Sequence, residues 1–253
     1  MASRFPLQPI GWLSSALFLG MQPLPLLAQS PPAASPLFAS PPPPSNLGEP
    51  GGRSEAASRG CSLQETDPST QEEGLTALVP VVAADAFDAV WGVTTLERPT
   101  FWFDISRSIA PGTAEFILED GTNQWTYPVS LANLSGIVQI SLPESSPPLV
   151  PGVDYHWYFN VYCQPEQPPF FVHGWIRRVE LEPDLAAALA QADPAQQVEL
   201  YGASGIWYDA LAIAAHLRAT RPNHPAWSRL LESADLESLA DRPLVNCCRV
   251  EPD

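Results

Sequence analysis

A nine-residue run in the second half of the chain constrains the fold most strongly. Residues 155–163 read Tyr-His-Trp-Tyr-Phe-Asn-Val-Tyr-Cys. Successive side chains of a strand point to opposite faces, so the alternation in this run predicts a half-buried strand. The core face should carry the odd-numbered positions and the opposite face the even-numbered ones: Tyr155, Trp157, Phe159, Val161 and Cys163 against His156, Tyr158, Asn160 and Tyr162.

Short apolar runs separated by turn residues surround this strand. We predict strands near residues 75–82, 100–105, 114–119, 124–131, 136–142 and 170–181, and a helical turn at 83–89. Strands at this spacing without intervening long helices indicate an antiparallel β-sandwich over residues 73–182. The corner Leu149, Pro151-Gly152 and Tyr155 favours an immunoglobulin-like or fibronectin type III sandwich, in which a tyrosine hydroxyl returns to the corner backbone.

Residues 183–253 change to helical patterns, so the predicted class is α+β. Asp193-Pro194 is typical of a helix start, and Ser204-Gly205 of the break before a third helix that ends at Pro222. Together with Tyr201, Trp207 and Ala210, these positions resemble a single tetratricopeptide-like unit. One such unit cannot bury its own apolar face, so we expect it to pack on the sandwich, followed by an extended tail from Pro243.

The first 72 residues are expected to lie outside the folded domain. Residues 1–28 combine Arg4, an apolar run over about a dozen residues and small residues near Ala28, which predicts a signal peptide too short to span a membrane. Residues 29–72 are rich in proline, serine, alanine and glycine, which predicts a disordered linker that buries nothing. The protein is therefore expected to be periplasmic or secreted, without stable membrane insertion after the leader is removed.

The chain has four cysteines, and export favours disulfides between them. Adjacent cysteines rarely pair with each other. We therefore expect two separate disulfides that join Cys61 and Cys163 to Cys247 and Cys248, in either order, and that pin the C-terminal tail.

Charge and motif content argue against several classes of function. The net charge is −16, and all 12 basic residues are arginine, so no basic cluster marks a nucleic-acid binder. No zinc-protease, phosphate-loop or complete nucleophile-elbow motif occurs, because Gly202-Ala203-Ser204-Gly205 lacks the residue that the elbow places between serine and glycine. We expect no enzyme, catalytic residue, cofactor or metal.

Several motifs resemble the cyanobacterial domain-of-unknown-function family 928. They are Leu75-Thr76-Ala77-Leu78-Val79-Pro80, Arg98-Pro99-Thr100-Phe101-Trp102-Phe103, Ala114-Glu115-Phe116, Tyr155-His156-Trp157-Tyr158-Phe159, Gly174-Trp175-Ile176-Arg177-Arg178-Val179 and Gly205-Ile206-Trp207-Tyr208-Asp209-Ala210. The resemblance covers about residues 59–248. It implies an exported protein of this architecture and supplies no activity or catalytic residues. Residues 83–90 lengthen the first connection between strands relative to the family pattern.

The candidate binding surface is aromatic. Eight aromatic residues lie between Tyr155 and Trp175, more than one core face accommodates. Tyr158 and Tyr162 are expected to point away from the core, and either Phe171 and Trp175 or their neighbours must join them. Tyr158, Tyr162, Trp175 and Arg177 are therefore candidate binding residues, unless the helices cover this face. If the last two strands form a hairpin, His156 and His173 share this face, either as hydrogen-bonded side chains or as part of a metal site. Arg177 or Arg178 is expected to pair with a carboxylate such as Asp209, or to lie exposed at the rim.

These observations predict an exported, non-enzymatic protein-protein interaction module of the cell envelope, with another envelope or secreted protein as partner. The alternative is a carbohydrate-binding protein that uses the same exposed sheet aromatics.

Overall fold

The computed structural model describes residues 37–45, 47, 51–55, 74–83, 87–106, 112–131, 135–162, 168–245 and 248. All of these residues belong to one compact unit, Pro36–Asp253. The predicted signal peptide lies outside the described residues.

Two sheets form the first part of this unit. Their strands are β1 (Ser54–Glu55), β2 (Leu75–Ala77), β3 (Val81–Ala83), β4 (Asp88–Thr94), β5 (Thr100–Ile105), β6 (Gly112–Glu119), β7 (Gln124–Leu131), β8 (Gly136–Ser141), β9 (Asp154–Tyr162) and β10 (Phe170–Arg178). One sheet has the order β1-β2-β5-β8 and the other the order β3-β4-β10-β9-β6-β7. The α+β class is confirmed.

The sheets are not purely antiparallel, which corrects the sequence-based expectation. Strand β4 pairs parallel with β10, with Trp91 opposite Trp175 and Val93 opposite Arg177. The predicted helical turn at 83–89 is also wrong where the chain is described, because Ala83 ends β3 and Asp88 begins β4. The apolar run Ala89-Val90-Trp91-Gly92-Val93 forms a strand because it is buried on both of its faces.

Alternation along β9 places the core as predicted. Tyr155, Trp157, Phe159 and Val161 are buried, and the Phe159 ring lies 4.4 Å from that of Phe103 on the facing sheet. The Tyr155 hydroxyl accepts a hydrogen bond from the Val150 backbone N–H at 3.0 Å. This bond is the one expected of a tyrosine at a strand corner.

The C-terminal part consists of α1 (Pro183–Leu189), α2 (Pro194–Ala203), α3 (Trp207–Thr220), α4 (Ala226–Glu232) and a short 3-10 helix (Glu237–Leu239). Asp193 caps α2 as predicted. Its carboxylate accepts hydrogen bonds from two backbone N–H groups, and the Gln196 side-chain oxygen accepts one from the Asp193 backbone N–H. None of the described helices is long and apolar enough to cross a membrane.

Helix α3 packs on the sandwich through three consecutive residues at its start. The Trp207 indole N–H donates to the Leu78 carbonyl oxygen at 2.8 Å, and the Tyr208 ring lies 5.3 Å from Phe101. Asp209 is buried, and it accepts hydrogen bonds from the Thr94 and Thr95 hydroxyls. The expected pairing of an arginine with a carboxylate is confirmed, but at other carboxylates than Asp209: Arg177 pairs with Asp154 and Arg178 with Glu97.

Part of the predicted linker is folded. Leu37, Phe38 and Leu47 are buried, and Gly52 forms an isolated bridge with His173 of β10 before β1 pairs with β2. The expectation that residues 29–72 bury nothing is wrong at these positions. Composition was misleading because a few apolar side chains suffice to anchor an extended, proline-rich segment on an existing surface.

The tail after the last helix is extended. Leu244 forms a parallel bridge with Ile137, and Arg242 forms an ion pair with buried Asp104 at 2.8 Å. Cys248 is buried. Cys61, Cys163 and Cys247 lie outside the described residues, so the two disulfides stay a prediction.

Candidate functional site

The outer face of the six-stranded sheet carries a cluster of rings where β9 and β10 pair. In this register His173 lies opposite Tyr158, and Trp175 lies opposite His156. The alternation of each strand turns these side chains away from the core. We call the cluster the outer aromatic surface; its members are His156, Tyr158, Phe171, His173 and Trp175.

Hydrogen bonds and ring stacking order this surface. His156 Nε2 lies 3.0 Å from His173 Nδ1, and the Tyr158 hydroxyl lies 2.9 Å from His156 Nδ1. The His156 ring stacks on Trp175 at a centroid distance of 4.1 Å and an angle of 10°. Tyr158 and His173 are parallel within 5°, with centroids 5.4 Å apart. The rings hold one another in place, so the surface is preorganised.

His156 is the buried member of the cluster. Burial, together with the nearby His173, lowers the pKa of His156 from 6.5 to about 4. Its imidazole is therefore neutral at pH 7 and bonds its neighbours as a neutral ring. The Glu119 carboxylate lies 3.6 Å from His156 Nδ1 and adds negative charge at the edge.

The rest of the surface is accessible. Phe171 is 39% exposed, and Tyr158, His173 and Trp175 are half-buried. The helices pack on β4 and β5 and leave Phe171 uncovered. The sequence left open whether the helices cover this face, and at Phe171 they do not.

The predicted binding residues occupy three different environments. Tyr158 and Trp175 belong to the outer aromatic surface. Tyr162 lies further along β9, where its hydroxyl donates to Glu115 Oε2 at 3.0 Å; burial and this bond raise the pKa of Tyr162. Arg177 lies at the end of β10, where its Nε and Nη2 each donate to a carboxylate oxygen of Asp154 at 2.7 Å. Arg177 is thus held in a bidentate ion pair beside the surface.

Trp175 also packs beside strand β4. It packs against a second apolar cluster that contains Trp91, Val93 and Ile206, and the Arg177 guanidinium lies 5.7 Å from the Trp91 ring. The edge of the outer aromatic surface near β4 is therefore closed. On the β6 side lie Ile117 and the carboxylates of Glu115 and Glu119, which pair in register with β9 and are half-buried.

The outer aromatic surface combines flat rings with polar ring edges. Within the described ranges, no group of three or more His, Cys, Asp or Glu side chains is arranged to hold a metal ion. Aromatic rings with polar edges bury apolar area and also form hydrogen bonds at their tips, which suits a protein surface or a sugar ring.

Sequence reasoning placed Phe171 on this face only as one of two alternatives, and it named His156 for this face without the ring contacts that it makes. The signal for both was the register of the hairpin. With Phe170 and Val172 assigned to the core, Phe171 and His173 fall on the face of His156 and Tyr158.

Comparison with known proteins places most of the chain in one family model. No curated protein and no solved structure matches the chain. The model of a Domain of Unknown Function family, DUF928, matches residues 54–244, which comprise both sheets and all four helices. The match includes every residue of the outer aromatic surface. The chain belongs to the DUF928 family.

Proposed function

We propose that this protein is an exported, non-enzymatic interaction module that docks another cell-envelope protein on its outer aromatic surface. The observation that carries the proposal is an ordered group of rings in which Phe171 is 39% exposed. Exposed aromatic side chains at the centre of a surface contribute much of the binding energy in protein interfaces.

The charge around the surface favours a basic partner. Glu115 and Glu119 lie on its β6 side, and the whole chain carries a net charge of −16. A segment with an apolar or aromatic side chain flanked by Arg or Lys complements this pattern. Opposite charges at the rim speed association and make it sensitive to salt.

Capture from an envelope extract of the source organism tests this proposal. The tagged full chain is compared with Tyr158→Ser and Phe171→Ser, and captured proteins are quantified by mass spectrometry. We expect a partner whose recovery falls at least about tenfold in both variants, because each loses a central ring contact. Recovery should also fall as salt is raised from about 0.05 to 0.5 M.

Leu96→Ser is the matched control. Leu96 is 44% exposed and lies outside the outer aromatic surface. Its variant should capture the partner as the original chain does. Thermal unfolding of each variant separates lost binding from lost folding. Equal capture by Phe171→Ser, Leu96→Ser and the unaltered chain, all folded, contradicts the proposal.

Carbohydrate binding is the second candidate. It is favoured by the parallel planes of Tyr158 and His173 next to the carboxylates of Glu115 and Glu119. Flat rings contact the apolar faces of sugars, and carboxylates accept hydrogen bonds from hydroxyl groups. A glycan array distinguishes the two functions. A protein-docking module leaves the array blank, whereas a sugar-binding protein gives signals that Phe171→Ser removes.

We further infer an immunoglobulin-like topology for the sheets. The supporting features are the two packed sheets, the strand order β4-β10-β9-β6-β7 and the Tyr155 hydroxyl at the corner. The α2–α3 pair, which Gly205 separates, supports a single tetratricopeptide-like unit. An experimental structure of the mature protein tests both assignments.

A further inference from the structure

Strand pairing aligns the outer side chains of the six-stranded sheet in rows that cross the strands. Residues directly opposite each other on neighbouring strands lie on the same face. One row follows the register from β10 through β9 and β6 to β7, and we call it the cross-strand row: Phe171, Asn160, Glu115 and Pro128. Phe171 and Pro128 are exposed, and the two residues between them are half-buried. The row therefore presents a ring, an amide and a carboxylate in line.

A second row runs beside the first and is more apolar. It contains His173, Tyr158, Ile117 and Thr126, each opposite the next in the same register. Tyr158 and Ile117 are half-buried, so part of each side chain is accessible. The two rows are offset by two residues along each strand, which is about 7 Å. A ligand that lies along both rows meets apolar side chains on one row, and a ring followed by a carboxylate on the other.

The spacing of the cross-strand row matches one type of extended peptide. Neighbouring strands are about 4.8 Å apart, so Phe171 and Glu115, which are separated by two such spacings, lie about 9.6 Å apart along the row. A polyproline II helix has three residues per turn and rises about 3.1 Å per residue, so its residues i and i+3 lie on one edge about 9.3 Å apart. Residues on one face of a β-strand recur about every 6.8 Å and do not match this spacing.

Given the docking function proposed above, we infer that these two rows bind a proline-rich segment of the partner in polyproline II conformation, with an apolar residue i on Phe171 and an arginine i+3 on Glu115. Arginine and carboxylate form a charge-assisted pair. A carboxylate accepts about four hydrogen bonds, so the bond from Tyr162 orients Glu115 and is compatible with the arginine. Prolines on a neighbouring edge of the segment pack on Tyr158 and Ile117, as proline-rich segments do at aromatic-lined sites.

Fluorescence anisotropy of labelled synthetic peptides, titrated with the full chain, tests the spacing. The first peptide is Pro-Pro-Leu-Pro-Pro-Arg-Pro-Pro, with leucine at i and arginine at i+3. In two register variants of this peptide the arginine is moved to i+2 or to i+4. We expect the first peptide to bind with a Kd below about 1 mM. The register variants should bind at least about fivefold more weakly, because their arginine lies on another edge of the helix.

Substitutions test the two ends of the cross-strand row. Glu115→Gln removes the charge and keeps an acceptor for the Tyr162 hydroxyl, and Phe171→Ser removes the ring. Each should weaken binding of the first peptide at least about fivefold. Glu144→Gln is the matched control, because it removes one charge at an exposed position outside both rows and should leave binding unchanged. Thermal unfolding shows whether each variant is folded, and if Phe171→Ser unfolds, Glu115→Gln decides.

Equal affinity of the three peptides, or no saturable binding up to about 1 mM, overturns the inference. An unchanged affinity in folded Glu115→Gln overturns it as well. The capture experiment above separates this failure from failure of the docking function. A partner whose recovery depends on Phe171, while none of the peptides binds, upholds docking and overturns the polyproline II segment. Recovery that does not depend on Phe171, together with no peptide binding, overturns both.

Discussion

The two faces of strands β9 and β10 are built from similar residues and behave differently. On the inner face, Trp157, Phe159 and Val172 are fully buried between the sheets. On the outer face, Tyr158 and His173 are half-buried, and Phe171 is 39% exposed. Inner-face rings pack between the sheets, as Phe159 does on Phe103. On the outer face the rings pack on one another, and Trp175 also packs against Ile206 of the helical part.

The difference shows that aromatic content alone does not indicate a core. Rings on the inner face stabilise the fold, because they are removed from water on all sides. Rings on the outer face retain accessible area that a partner can bury. Substitutions of the same type on the two faces should therefore separate stability from binding.

The largest expected effect is at Phe159. Phe159→Ala removes a ring that packs on Phe103 at 4.4 Å and leaves a cavity, so the free energy of unfolding should fall by about 3–5 kcal/mol. Phe171→Ala, the same change one face away, should lower it by less than about 1 kcal/mol. Urea denaturation measures both values. Similar losses at the two positions would contradict the contrast between the faces.

His156 lies on the outer face but is buried, and its lowered pKa should make the stability of the fold depend on pH. Its folded pKa, about 4, lies below its unfolded pKa of 6.5. As the pH falls from 6.5 to 4, the unfolded chain takes up a proton that the folded chain excludes. The free energy of unfolding should therefore fall by about 1–3 kcal/mol through this group.

His156→Gln should reduce this pH-dependent loss, because glutamine has no titrating proton in that range. The matched control is His216→Gln, on an exposed position of α3. Chemical denaturation at pH 7, 6, 5 and 4 compares the three chains. An unchanged slope in His156→Gln would show that this imidazole titrates as it does in the unfolded chain.

At the junction between helices and sheets, Asp209→Ala should cost about 1–3 kcal/mol. The change leaves the Thr94 hydroxyl and the Thr95 backbone N–H without their buried acceptor. Asp209→Asn keeps an acceptor oxygen and should cost less. Thermal or urea unfolding measures the difference. Equal stability of Asp209→Ala and the unaltered chain would mean that water replaces the carboxylate at no cost.

The smallest expected effect is at Tyr162, on the rim of the outer face. Tyr162→Phe removes the hydrogen bond to Glu115 and should lower the free energy of unfolding by about 0.5–1 kcal/mol. A double-mutant cycle with Glu115→Ala isolates this interaction. A coupling energy of zero would show that the bond contributes no net stability in water.

Local patterns predicted much of the secondary structure. Strands β5 and β7 and helix α2 begin and end at the expected residues, because their periodicity and their caps are local signals. Strand β4 and the folded part of residues 37–55 were missed. The first is a buried run without alternation, and the second has the composition of a linker.

The sequence predicted which residues share the outer face of the sheet, but not the contacts that these residues make with one another. The sequence identified the alternation of β9, and with it Tyr158 and Tyr162 as outward-facing residues. The sequence did not determine the stacking of His156 on Trp175 or the separate environment of Tyr162. Both depend on the hairpin register and on which strand lies beside each edge, and these are long-range pairings.

The sequence by itself determined the α+β class, the strand-rich first part, the helical second part and the alternating faces of β9, since each follows from the spacing of residues along the chain. Tertiary structure alone decided that helices pack on β4 and β5 and leave Phe171 open. It also decided that Leu37 and Phe38, which precede a run of prolines, are buried against Gly202 and Trp207. Those outcomes depend on contacts between residues far apart in the chain, which no local pattern encodes.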